Sequence, residues 1–316
     1  MVGVVAYNRA MRFFALALVL GASCSALASF DLMLVRDAGK IHRIDPVSGA
    51  YLGNFQLTTS SSVMAASSAR KSLYMVSGAT VGAVDYSTGD YRLIGTSLGF
   101  TPSAMAMSRN EATLYVASNN GNVAQLDATT LIRGADITLE PATTRIHSLY
   151  VTVGGLFLAT IRNASGHYLR SYSSSGSMIS SINIDSNTLE TYTNGITVNQ
   201  NQIFYGRTSN SYGGAILDPL LGTLSSGFTN NVPLFSSLVG MHDGHIGSYW
   251  TGLDSTPANG FKVQYINPFQ NWDRTFTYSQ ITAPLSTALV LAPEPTSLAA
   301  LALGGLALIR RRRQGK

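Results

Sequence analysis

The sequence predicts an all-β fold, a six-bladed β-propeller built from residues 29–292. Three observations carry this prediction. A polar turn that starts on an Asx-type residue, with glycine four residues on, recurs every 40 to 49 residues. Each repeat holds a short, continuous apolar run of the kind found in strands buried on both faces. The composition is that of short strands joined by turns: charged residues are only 12% of the chain, about half the usual share. Gly, Ser, Thr and Asn are abundant, and Val, Ile and Tyr are spread evenly.

The turn is clearest at Asp45 to Gly49, Asp85 to Gly89 and Asp218 to Gly222, with degenerate copies starting at Asp127, Tyr172 and Asn267. Asx-Pro opens three of the six (Asp45-Pro46, Asp218-Pro219, Asn267-Pro268), a pairing that favours turn initiation. A period of about 40–50 residues with four strands per unit is the signature of propeller blades. The apolar runs are Leu32–Val35, Leu73–Val76, Leu114–Val116, Leu156–Ala159, Ile203–Tyr205 and Ile246–Trp250. A seven-bladed ring or an irregular β repeat is the alternative, because the period drifts.

The first repeat lacks a first strand, and Ser286 to Leu291 is an apolar stretch with no blade after it. Pairing that stretch beside Leu32–Val35 would close the ring and remove a sheet edge. The third unit, Ala104-Met105-Ala106-Met107-Ser108 followed by Leu114-Tyr115-Val116-Ala117-Ser118, resembles the YVTN or WD40-like propeller repeat of bacterial surface proteins.

Residues 1–28 have the order of a secretory signal. Arg9 and Arg12 precede the apolar run Phe13 to Ala22, and Ala26-Leu27-Ala28 offers small residues at the positions that a signal peptidase inspects. Cleavage is expected between Ala28 and Ser29. A lipoprotein signal ending at Cys24 is the alternative, with Gly21 standing where Leu is usual.

Residues 293–316 form a tail in three parts. Pro293-Glu294-Pro295 comes first, then the uncharged run Ser297 to Ile309, then Arg310, Arg311, Arg312 and Arg313. As a helix the run spans roughly 20 Å, a short single transmembrane helix whose flanking arginines can snorkel. The arginines would stay on the cytoplasmic side and leave the body outside. This order resembles the PEP-CTERM sorting signal of Gram-negative bacteria, also called the ice-binding protein C-terminal domain, a label that does not establish ice binding. The resemblance covers residues 293 to about 313. It implies recognition by an exosortase membrane enzyme at Pro293, Glu294 and Pro295, retention by Arg310 to Arg313, and delivery to the outer surface or extracellular matrix.

Charge and cysteine narrow the function. The chain is +5 overall, but between residues 29 and 292 it carries 14 basic and 15 acidic residues, a net −1. The basic character belongs to the ends, so nucleic acid is not an expected partner. Cys24 is the only cysteine, which leaves the body without disulfides, thiolate metal ligands or a cysteine nucleophile.

Catalytic motifs are weak. Gly95-Thr96-Ser97-Leu98-Gly99 fits the GxSxG pattern but continues into Phe100-Thr101-Pro102 rather than a helix, so no catalytic residue is assigned. His242-Asp243-Gly244-His245 is the densest set of candidate metal ligands, and Asp-Gly is equally a hairpin turn. His42, His147 and His167 are read as isolated, at strand edges or facing solvent. No cofactor is expected. The reading favours a non-enzymatic surface or matrix protein whose propeller binds polysaccharide or a surface protein. A lactonase-like or other hydrolase on the same fold is the alternative. A central channel lined by Ser, Thr and small apolar residues would favour binding. Clustered carboxylate, His and Arg side chains there would favour an enzyme.

Overall fold

A computed structural model describes residues 31–57, 63–185, 195–199, 201–208, 211–231, 235–243, 248–254, 260–266 and 272–291. The signal segment with Ala26, Ala28 and Ser29, the Pro293-Glu294-Pro295 motif, the run Ser297 to Ile309 and Arg310 to Arg313 lie outside the described residues. Among the described residues no helix is long and apolar enough to cross a membrane. Residues 32–290 form one compact unit.

Its described residues form 24 strands in six antiparallel four-stranded sheets. Blade 1 is β24 (Pro284–Val290), β1 (Leu32–Asp37), β2 (Lys40–Ile44) and β3 (Tyr51–Gln56). Blade 2 is β4 (Met64–Ser67) to β7 (Tyr91–Ser97), and blade 3 is β8 (Pro102–Met107) to β11 (Ile137–Thr138). Blade 4 is β12 (Arg145–Val151) to β15 (Met178–Asp185). Blade 5 is β16 (Ile196–Asn199) to β19 (Leu224–Asn231), and blade 6 is β20 (Phe235–Asp243) to β23 (Trp272–Tyr278). The first strands of successive blades touch one another around a central channel.

The ring closes as the sequence suggests. Leu32 pairs with Val290, Leu34 with Ala288 and Arg36 with Ser286. The last strand therefore supplies the missing first strand of blade 1, and no edge is left on β1. The apolar runs fall on the second strands of the blades, one place out from the channel, with Ile246 and Gly247 outside the described residues. β1 is buried along its whole length and β5 (Ser72–Ser77) along all but its last residue.

The core lies between blades rather than at the axis. One layer joins blades 3 and 4 through Ile137, Ile146, Phe157 and Tyr172. Others join blades 2 and 3 through Tyr74, Leu114 and Leu131, blades 1 and 2 through Leu34 and Leu73, and blades 6 and 1 through Met33, Ile44 and Phe261. Each such side chain contributes about 1.5–3 kcal/mol on burial.

The repeated turn joins the third and fourth strands of blades 1 to 5. Asp45 accepts the amides of Val47 and Ser48 at 2.8 and 3.1 Å, and Asp218 those of Leu220 and Leu221 at 2.8 and 3.0 Å. The glycine four residues on donates back to the aspartate carbonyl, at 2.9 Å for Gly49 and 2.8 Å for Gly222. Both glycines have positive φ, 78° and 71°. The degenerate copy at Asp127 keeps the geometry with Leu131 at φ 57°. The copy at Asn267 lies outside the described residues.

Candidate functional site

The upper part of the channel is a cavity of about 50 Å³. Its walls come from the first strands of four blades and the residue preceding a fifth: Met64, Ser103, His147, Ser286 and Thr287, with Gly195 before β16. Such a volume admits one or a few waters. It is far below the roughly 300–1,000 Å³ of small-molecule pockets.

Three polar atoms on this wall are buried without a hydrogen-bond partner in the protein: Ser103 Oγ, His147 Nε2 and Ser286 Oγ. Ser148 on the same wall is satisfied by Thr160 at 2.5 Å. His147 is held neutral, its pKa lowered to about 4 by desolvation first and then by Arg145, His167 and Arg162. An uncharged imidazole and hydroxyls can orient water or a small polar group. They supply no charged acid–base pair.

A buried carboxylate lies at the opposite ends of the first strands. Asp243, the last residue of β20, accepts hydrogen bonds from Thr197 Oγ1, from the Val198 amide at 2.7 Å and from the Tyr150 hydroxyl. Arg109 stands 3.6 Å away. These partners belong to blades 5, 4 and 3, so one side chain from blade 6 ties four blades together. Desolvation raises the Asp243 pKa against the pull of its donors. Each oxygen already takes two partners, so the carboxylate is a structural clamp rather than an open base.

The candidate metal ligands do not converge. His242 precedes Asp243 on β20 and sends Nε2 to Thr287 Oγ1 of blade 1 at 2.7 Å, while Asp243 faces blade 5. Successive strand residues point to opposite faces, which explains the divergence. His245 lies outside the described residues. Among the described residues no group of three or more His, Cys, Asp or Glu could hold a metal ion.

The other histidines are neither isolated nor solvent-facing. His42 and His167 are buried, and the His147 and His167 rings lie 6.3 Å apart. The strands β12 and β14 (Gly166–Tyr172) flank β13 (Phe157–Asn163) in blade 4 and bring them together. The GxSxG segment is the end of the outermost strand β7, and Ser97 Oγ accepts the Gly99 amide at 3.4 Å. The channel serines were not singled out from the sequence. Their signal is positional: small polar residues in the first strand after each blade-to-blade connection.

No protein-family model matches the chain, and no curated protein matches it in sequence. Solved structures do match in shape. One is a chain of the nidogen/laminin complex, at 13% identity and a TM-score of 0.60, covering 82% of this chain and 98% of that one. Another is a protein of unknown function from Bacteroides caccae, at 10% identity and a TM-score of 0.62, covering 84% and 100%. At such identities the likeness shows the fold, a six-bladed β-propeller, and nothing narrower.

Proposed function

We propose that this chain is an exported binding module: a six-bladed propeller presented outside the cytoplasm and sorted by its C-terminal segment. The observation that carries the binding reading is the channel. A space of about 50 Å³ walled by Ser103, Ser286, Thr287 and a neutral His147 suits structural water and leaves recognition to the outer faces of the ring. The partner class is a polysaccharide or another surface protein. A chain of similar fold takes part in the nidogen/laminin complex, which supports a protein-binding role for the architecture.

The sorting reading rests on sequence order. Pro293-Glu294-Pro295, the uncharged run Ser297 to Ile309 and Arg310 to Arg313 follow the last strand of the ring. On this reading a signal peptidase removes residues 1–28, and the tail holds the protein in the inner membrane. An exosortase-type enzyme then processes the tail and releases the propeller to the outer surface or matrix. Cell fractionation tests it: wild type should occupy membrane and surface fractions. A chain ending at residue 292 should be soluble with an unchanged Tm. Recovery of both in the same fraction would refute the tail's role. A glycan array and a surface-protein pull-down with the soluble form then define the ligand.

A further inference from the structure

Apolar side chains at the turn tips are divided unevenly between the two faces of the ring. Turns joining strands one to two and three to four share one face. Turns joining strands two to three, and the connections between blades, share the other. On the first face Val47, Ile132, Val153, Leu220 and Leu221 lie in these turns, exposed by 41, 67, 82, 93 and 67%. They come from blades 1, 3, 4 and 5. Among the described residues, no large apolar side chain is exposed in the turns of the opposite face. Leu285, at that end of β24, comes nearest. Among the described residues the exposed apolar tips lie on one face, and such a set marks a surface that something covers.

The chain leaves the ring on the same face. Leu32 and Val290 pair at the end of blade 1 where its first and second strands would otherwise be joined by a turn. Residues 291–296 then separate Val290 from the uncharged run that begins at Ser297. Six residues reach at most about 20 Å. A membrane entered at Ser297 would therefore lie within that distance of Val290, on the side of the apolar tips. The carboxylate nearest the exposed leucines, Asp218, is engaged by two amides of its own turn, which moderates the cost of bringing it to a lipid headgroup region.

We propose that this face docks on the lipid surface, with Leu220, Leu221, Val153 and Ile132 entering the interfacial zone, and that the opposite face meets the soluble partner. The inference rests on the reading that the tail inserts in the membrane. Short apolar tips carried on rigid turns gain burial in the headgroup and acyl boundary without unfolding any strand.

The test uses protein purified from membranes, carrying Cys24→Ser and one cysteine at Leu220, Val153 or, as the opposite-face control, Ser165. Each is labelled with an environment-sensitive dye and moved into phosphatidylethanolamine/phosphatidylglycerol vesicles with or without brominated acyl chains. The expected result is co-flotation with the vesicles, blue-shifted emission and bromine quenching at positions 220 and 153, and neither change at 165. Co-flotation without quenching at 220 and 153, or with equal quenching at 165, overturns the docking face and leaves the tail reading intact. Failure to float overturns both. A blue shift at 220 in detergent that grows with protein concentration would show that a second copy covers the face, which overturns the lipid surface as its occupant.

Discussion

A side chain added at Gly95 would place its Cβ 3.1 Å from the Cβ of Leu131, across the boundary between blades 2 and 3. At four other boundaries the roles are reversed. The turn supplies the glycine and the outer strand of the preceding blade supplies a large side chain: Gly49 meets Phe276, Gly89 meets Phe55, Gly176 meets Ile137 and Gly222 meets Ile179. Blade 3 has exchanged knob and hole. That exchange accounts for Gly95, the first glycine of the GxSxG match, without any catalytic role.

The exchange predicts a strong coupling. Leu131→Gly relieves a positive-φ residue, worth about 1 kcal/mol, but empties a site where Leu131 is only 1% exposed. The lost packing costs about 2–5 kcal/mol, so the single variant should be destabilised. Gly95→Phe should lose about 1–3 kcal/mol by overpacking. Together they restore the arrangement of the other boundaries, and the double variant should be more stable than the sum of the two losses. Urea unfolding of the four proteins in the cycle measures this, and additive losses would refute the exchange.

Ring closure should be required for folding. Ala288 in β24 is 2% exposed and pairs with Leu34. Ala288→Asp buries an unpaired charge between the first and last segments of the chain and should cost about 3–5 kcal/mol. The expected outcome is a lowered Tm and proteolysis that starts at the β24 end. An unchanged Tm would mean that the closure contributes little.

How much of this was legible in the sequence differs between the fold and the site. The Asx turns were visible because a carboxylate and a glycine at fixed spacing suit that turn and recur in most blades, even where Leu131 or Tyr172 replaces one of them, and they set the blade count. The closure was visible because an odd first strand and a leftover last one need each other. The channel was not. Ser103, Ser148 and Ser286 are ordinary residues until six strands gather them around one axis, and no local pattern marks that event. The Asp243 clamp was missed for the same reason, since its partners Tyr150 and Thr197 lie 93 and 46 residues away.

Two histidines should make the ring acid-sensitive. His147 and His242 are neutral in the folded state, with pKa lowered from the ordinary 6.5 to about 4, in both cases chiefly by desolvation. The unfolded chain binds these protons first, so stability is full above pH 6.5 and falls as pH drops from 6.5 towards 4. The loss is up to about 3 kcal/mol per histidine. Asp243 has the opposite sign: its raised pKa gives a gain as pH falls through the carboxylate range, a partial offset at the lower end. Tm against pH should decline across this window. The His242→Gln and His147→Gln variants should each flatten the decline, and an unchanged slope in both would contradict the buried neutral assignment.

The Asp243 clamp separates charge from hydrogen bonding. Asp243→Asn keeps an acceptor for Thr197 and the Val198 amide and removes a charge from a desolvated site, so it should be within about 1 kcal/mol of wild type. Asp243→Ala leaves the Tyr150 hydroxyl and the Val198 amide, buried donors from two blades, unpaired and should cost about 3 kcal/mol or more. Equal losses in the two variants, measured by chemical denaturation at pH 7, would assign the clamp to the charge itself.

The central claim, that a propeller built for binding is exported and then sorted by its tail, is tested most directly by replacing Pro293, Glu294 and Pro295 together with alanine and following the mass and location of the chain in cells. The account predicts that the triple variant inserts normally, escapes processing and accumulates at full tail length in the inner membrane, with the Tm of the propeller unchanged. A variant cleaved and delivered to the surface like wild type would contradict it and leave the segment as a plain membrane anchor.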